Sequence, residues 1–262
     1  QDLQGGVSAC KFTFNVSGKD IKIGVFTHLA GNVPMWKDLL NNVTQASNTF
    51  SYSIPNDVNR DITVALGNCL DDVKSIRMTS AVDNKVQGFL DLSTLDFLES
   101  LHLSGQSGIT SLLLPNSGGN ALLITGNSDL FTADLSGFTN LDRTDASLGY
   151  VNVRWNFNLD SIILPTVPVA PTFSFVLLYD NALTSLDLTP IIQSLAATPE
   201  IDARKNKLSS ADIDQIIIDV DSQSVTDGEL ILNLQSPLAP PTPASAAALL
   251  SLGVKNWTVT TD

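Results

Sequence analysis

Acid–base or nucleophilic chemistry near neutral pH usually calls for a histidine, and this chain has two, His28 and His102. Neither is accompanied by a G-x-S-x-G elbow, and no H-E-x-x-H, Walker A or dinucleotide glycine pattern occurs. His102 lies between Leu101 and Leu103, where strand alternation turns it outward, so a surface histidine is the expectation. The Gly-Lys pair in VSGKD lacks the earlier glycine and the following hydroxyl residue of a phosphate loop. SGGNALLITGNS is Gly-rich without a basic residue and reads as a turn.

Carboxylates are the next candidates. Asp219, Asp221, Gln223 and Asp227 are spaced like a loose calcium loop, but the glycine at its sixth position and the bidentate glutamate at its twelfth are missing. A solvated acidic turn is expected there. Asp71 and Asp72 suit a turn, while Asp212 and Asp214 suit a helix N-terminus, where negative charge is favourable. The two cysteines, Cys10 and Cys69, form no C-x-x-C pair, which excludes a thioredoxin motif and a zinc site. They are either a disulfide across the first domain or two buried thiols. Sequons at Asn15, Asn42 and Asn256 occur at chance frequency. No catalytic constellation emerges, and neither a cofactor nor a metal site is expected.

The elements that would position any site follow from composition and spacing. The 262 residues are 43% hydrophobic but only 6% aromatic, which favours a thin aliphatic core wrapped in polar turns over a compact enzyme core. A net charge of −13 repels phosphate backbones and anionic lipid, so nucleic acid and membrane surfaces are poor partners. No membrane insertion is expected either. The uncharged stretch 161–179 is interrupted by Pro165, Pro168 and Pro171, and 230–254 by Pro237, Pro240, Pro241 and Pro243. The chain begins at Gln1, which fits both a processed end and a truncation.

From residue 98 one phrase returns every 20 to 25 residues or so. It is a pair of apolar residues two apart, an Asn or its substitute three residues later, and another apolar residue. Leu101 and Leu103 are followed by Gln106 and Ile109, and Leu122 and Ile124 by Asn127 and Leu130. Val151 and Val153 precede Asn156 and Leu159; Val176 and Leu178 precede Asn181 and Leu183; Ile201 and Ala203 precede Asn206 and Leu208. Leu141 to Leu148 is a degenerate copy. Between copies lie shorter apolar runs, Leu112–Leu114, Ala133–Leu135, Ile162–Leu164 and Leu186–Leu188, which predict a second, extended or irregular wall. The apolar pairs would point into stacked coils, each side chain worth roughly 1.5–3 kcal/mol on burial. Gln106, Asn127, Asn156, Asn181 and Asn206 would satisfy backbone groups that each turn strands inside the coil. They are expected to form a structural ladder.

Residues between the core pairs would stack outward in columns about 4.8 Å apart. These are His102 and Ser104, Leu123 and Thr125, Asn152 and Arg154, Leu177 and Tyr179, and Asp202 and Arg204, with Trp155 just beyond. An apolar and aromatic centre with a polar rim suits a protein–protein contact. Arg154, Trp155, Leu177, Tyr179, His102 and Arg204 are the expected binding face.

The phrases LESLHLSGQ, LTSLDLT and IDARKNKLSSADIDQIIIDVD, with the final LILNLQSPLAPPTPASAAALLSLGVKNWTVTTD, resemble the leucine-rich-repeat proteins of Bacteroidetes and their tailed phages. The resemblance covers about residues 73 to 262. It implies a mainly β fold with some α: a leucine-rich-repeat solenoid with a parallel β-sheet over 73–208, closed by a terminal module over 209–262. In that module a helix runs from Ser209 or Ser210 to Val220, a strand from Leu230 to Leu234, a helix from Ala244 to Leu252 and a last strand from Trp257 to Thr260. Residues 1–72 do not repeat. Alternation at Phe12 to Val16, Ile21 to Val25, Phe50 to Ile54 and Ile62 to Leu66 predicts a small antiparallel β-sandwich, with a short helix around Trp36 to Val43. In the resembled group an immunoglobulin-like or PKD-like domain often precedes the repeats, although the W-G-D-G phrase of those domains is absent here. The function implied is non-enzymatic. It is that of a phage virion component, a head or tail decoration or fibre-associated protein presenting a platform to other subunits or a host receptor. A bacterial cell-surface or secreted adhesin is the alternative.

Overall fold

The computed structural model describes residues 10–17, 20–27, 35–38, 43–46, 49–53, 60–66, 73–79, 85–93, 95, 98–105, 108–115, 121–138, 150–166 and 173–262, the first six segments chiefly as backbone. The four alternating runs predicted near the N-terminus form strands β1 (Cys10–Ser17), β2 (Asp20–Thr27), β5 (Thr49–Ser53) and β6 (Arg60–Leu66). The helix expected around Trp36 to Val43 is replaced by strands β3 (Met35–Asp38) and β4 (Val43–Ala46). Met35 to Asp38 pair antiparallel with Ala65 to Ile62, so the free edge of β6 offers a ladder that an isolated two-turn helix could not match. His28, Cys69, Gln106 and Leu141 to Leu148 lie outside the described residues.

The N-terminal strands divide between two sheets. A five-stranded sheet has the order β4-β3-β6-β1-β8, where β8 is Lys85–Val86. β2 and β5 instead extend a ten-stranded sheet, because β2 pairs antiparallel with β7 (Val73–Thr79). The remainder of that sheet is parallel: β7, β10 (Ser100–Ser104), β12 (Ala121–Thr125), β14 (Tyr150–Arg154), β16 (Phe173–Leu177), β17 (Leu195–Asp202), β18 (Glu229–Ile231) and β19 (Thr258–Thr260).

Between those strands the chain crosses to a four-stranded parallel sheet made of β9 (Gly88–Asp91), β11 (Ile109–Leu113), β13 (Thr132–Asp134) and β15 (Ser161–Ile163). The fold is therefore mainly β, and its wiring is compatible with a solenoid. Along β7, β10, β12, β14 and β16 two side chains point inward at each level: Ile76 and Met78, Leu101 and Leu103, Leu122 and Ile124, Val151 and Val153, Val176 and Leu178 are all at most 1% exposed. Leu112, Leu114, Ala133, Leu135 and Leu164 meet them from the other wall. The fourth short run, Leu186 to Leu188, forms no strand. Its leucines are still buried, but Pro190 opens the one-turn helix α1 (Thr189–Ile192), and the second sheet stops at β15.

The C-terminal elements fall close to their expected places. Ser209 and Asp212 make a reciprocal capping box at the start of α2 (Ser210–Asp221). A short 3-10 turn leads into α3 (Ala246–Val254), and Trp257 packs so tightly on Gly228 that a Cβ there would lie 2.5 Å from the indole. Asp214, on α2, holds the Pro-rich turn. It accepts from the Thr242 amide at 2.8 Å, the Thr242 hydroxyl at 2.5 Å and the Ser245 hydroxyl at 2.5 Å.

Burial pushes the Asp214 carboxyl up, but these three donors together outweigh it and hold it below its ordinary value. At Asp221 burial also raises the carboxyl, and the Ser251 hydroxyl and the Lys255 ammonium again bring it below. A carboxyl depressed in the folded state stabilises above the unfolded value and loses that contribution as pH falls through the folded one. Thermal melts should therefore drop as pH is lowered from about 5 to about 2. Asp214→Asn should melt lower at neutral pH and show a shallower acid dependence. An identical acid slope in the two proteins would exclude Asp214 as a source of it.

Candidate functional site

The turns after β10, β12, β14, β16, β17 and β18 each carry a residue in the left-handed region: Gly105, Gly126, Trp155, Asp180, Lys205 and Leu234 have φ between 53° and 67°. The next residue in each turn is the ladder position. Asn127 donates to the Leu103 carbonyl at 3.4 Å and to the Asn156 side chain at 3.0 Å. Asn156 donates to the Ile124 carbonyl at 3.0 Å, and its oxygen accepts from the Asn127 amide at 2.9 Å. Asn181 donates to the Val153 and Leu178 carbonyls, both at 2.7 Å, and accepts from the Asn156 amide at 2.9 Å. Asn206 donates to the Leu178 and Ala203 carbonyls and accepts from the Leu183 amide at 3.1 Å. The sequence reading missed Gln235, which does the same work one coil further on, bonding the Ala203 and Leu232 carbonyls and the Leu208 amide. Its spacing of 29 residues from Asn206 equals that between Asn127 and Asn156, which was the available signal.

On the outer side of the ten-stranded sheet, registers place His102, Leu123, Asn152, Leu177 and Asp202 in one column. Ser104, Thr125 and Arg154 lead the next, which Tyr179 and Arg204 continue just past their strands. Arg154, Trp155, Tyr179 and Arg204 come together. The Arg154 guanidinium lies 4.2 Å from the Trp155 ring centre and 5.4 Å from that of Tyr179, and donates to the Tyr179 hydroxyl. Trp155 meets Tyr179 edge-on at 5.9 Å, and Arg204 covers Tyr179 at 5.0 Å. Such contacts hold long side chains in fixed poses.

No family model matches this chain, and no curated protein or solved structure is significantly similar to it.

The face is less bare than the alternation predicts. Thr125, Asn152 and Asp202 are buried beneath their larger neighbours. Burial pushes the Asp202 carboxyl above its ordinary value, against the pull of the Arg204 amide at 3.1 Å and guanidinium at 3.3 Å. His102 stands apart from the cluster, in register with Arg77. Burial first, and then the Arg77 charge, lower its imidazole below the usual value, so it contributes little positive charge at neutral pH. Leu177 is partly exposed beside Asn152.

The calcium-like residues do not converge. Asp219 accepts from Gln215 and Asp227 from Asn256, while the Lys255 ammonium takes the Asp221 carboxylate at 2.9 Å, the Asp221 carbonyl and the Gln223 carbonyl at 2.9 Å. An internal cation thus sits among the oxygens that a metal would use. Among the described residues no group of three or more His, Cys, Asp or Glu could hold a metal ion, and no helix is long and apolar enough to cross a membrane. Sequence reasoning also overlooked the outer face of the four-stranded sheet, where Phe89, Leu113 and Ile163 line a shallow apolar groove. Alternate positions of the short apolar runs are its signal.

Proposed function

We propose that the chain is a non-enzymatic leucine-rich-repeat platform that docks a protein partner on the outer face of its long parallel sheet. The observation that carries this reading is the Arg154–Trp155–Tyr179–Arg204 cluster. Aromatic and arginine side chains in fixed poses, one of them 41% exposed, are the composition of an interface centre. Parallel pairing gives such a face rigidity, because each outward residue is held in register by hydrogen bonds on both sides. The sequence resemblance of the repeats and terminal module supports a phage particle as the setting, with other virion subunits or a host receptor as the partner. A cell-surface adhesin would use the same face.

The test is photo-crosslinking in the native setting. A photoreactive phenylalanine analogue replacing Tyr179 should yield a discrete protein adduct, whereas the same analogue at Phe89, exposed on the four-stranded sheet, should not. Adducts from position 89 alone would remove the strand face from consideration.

A further inference from the structure

Two features of the strand face are not explained by folding. The first is Trp155. The same turn position is Gly105 and Gly126 in the two preceding coils, where a left-handed backbone costs little, and Asp180, Lys205 and Leu234 in those that follow. A tryptophan with φ of 60° holds a backbone that its Cβ disfavours. Its indole recovers no core burial there, since it remains partly in solvent. Since later coils hold other residues in the same backbone, it is the exposed aromatic side chain, packed on Arg154 and Tyr179, that sets this turn apart.

The second feature is the charge beside it. Among the described residues Arg204 pairs with Asp202, Lys205 with Asp180 and Lys255 with Asp221. Among the same described residues Arg154 meets no carboxylate, in a chain where Asp and Glu outnumber Lys and Arg by 27 to 14. It is wedged between two rings instead, with its Nε sealed from solvent and unpaired. Next to it in the strand, Asn152 is 7% exposed, and its side-chain oxygen is also unpaired. Arg154 as a whole is only partly buried, and one of its two terminal nitrogens is taken by the Tyr179 hydroxyl. A guanidinium fixed in place, partly exposed and with no carboxylate beside it among the described residues is suited to a planar anion.

We infer that Arg154, gripped by Trp155 and Tyr179, is the receptor for a carboxylate side chain of the docked protein. The inference rests on the strand-face reading above and names the chemistry the partner must bring. An acidic residue seated there fills the guanidinium's free donors, and its aliphatic stem lies against the Trp155 ring.

A pair of probes isolates the charge: N-acetylglutamyl amide and its neutral twin N-acetylglutaminyl amide, titrated into the full chain while the Trp155 indole N–H is followed by NMR. The expected result is a saturable shift at millimolar concentrations with the glutamyl probe, and binding weaker by about tenfold or more with the glutaminyl one. Arg154→Met should erase that difference, and Arg204→Met should keep it. The Trp257 indole, bonded to the Val225 carbonyl at 2.9 Å, reports in each sample that the fold is intact. If Arg154→Met disturbs that signal, the wild-type chain decides alone, since added salt must then abolish the glutamyl preference. Probes that bind alike, or a preference that survives salt or Arg154→Met, overturn the carboxylate receptor. Either result leaves the crosslinking outcome at Tyr179 standing, so the two readings fail separately.

Discussion

Replacing Asn156 with alanine should destabilise the chain by about 3 kcal/mol. The side chain is fully buried and works in two directions. Its amide bonds the Ile124 and Arg154 carbonyls and the Asn181 oxygen, while its own oxygen receives both the backbone and side-chain N–H of Asn127. Alanine removes the acceptor of both Asn127 N–H groups and a donor to the Ile124 carbonyl in a space that excludes water, and a buried polar bond lost this way costs about 1–3 kcal/mol. In a chain of this size that lowers Tm by about 6–12 °C. Asn156→Asp should not rescue it, because a carboxylate would face three oxygens with nothing to donate. Asn158→Ala is the control, since that exposed residue makes a single bond to the Ser128 carbonyl. Should Asn156→Ala and Asn158→Ala melt together, the ladder does not hold the coils.

Removing residues 1–72 is expected to have the larger effect of the two. Val73 to Met78 pair with Thr27 to Ile23, and Lys85 and Val86 pair with Ser17 and Val16. Deletion opens both edges at once, and directly behind them lie Val73, Ile76, Met78, Leu90 and Leu92, all fully or nearly fully buried. A flat parallel edge backed by apolar side chains pairs with its own kind. The shortened chain should therefore elute as large aggregates on size exclusion. A monodisperse monomer with an unchanged melt would show that the first strands do not close the array.

The repeated region was legible because its physics is local. Two inward side chains, a left-handed turn and a buried amide recur within ten residues, so type and spacing suffice to place β10, β12, β14, β16 and β17. The helix misplaced at Trp36 to Val43 shows the opposite case. Its conformation is decided by the edge of β6, more than twenty residues away, which no local pattern reveals. The same holds for β2, whose alternation marks a strand but not that it joins the long sheet. On the candidate site, outward positions followed from alternation, whereas burial of Asn152 and Asp202 depends on neighbours one coil away. The left-handed strain at Trp155 was visible only as the absence of the glycine found at 105 and 126.

The ladder has a direction. Asn156 serves the Ile124 carbonyl and the Asn127 amide, Asn181 the Val153 carbonyl and the Asn156 amide, and Gln235 the Ala203 carbonyl and the Leu208 amide. In every case the groups served belong to the turn laid down before. Each winding is thus fastened by its successor, as a rope is locked by the next lap over it. A ribosome delivers the laps in the order in which they lock, so no winding waits for a distant part of the chain. Tension applied from the far end would release them in reverse, one at a time, each lap freeing the one beneath. A chain of this build should lengthen under load in steps rather than open all at once.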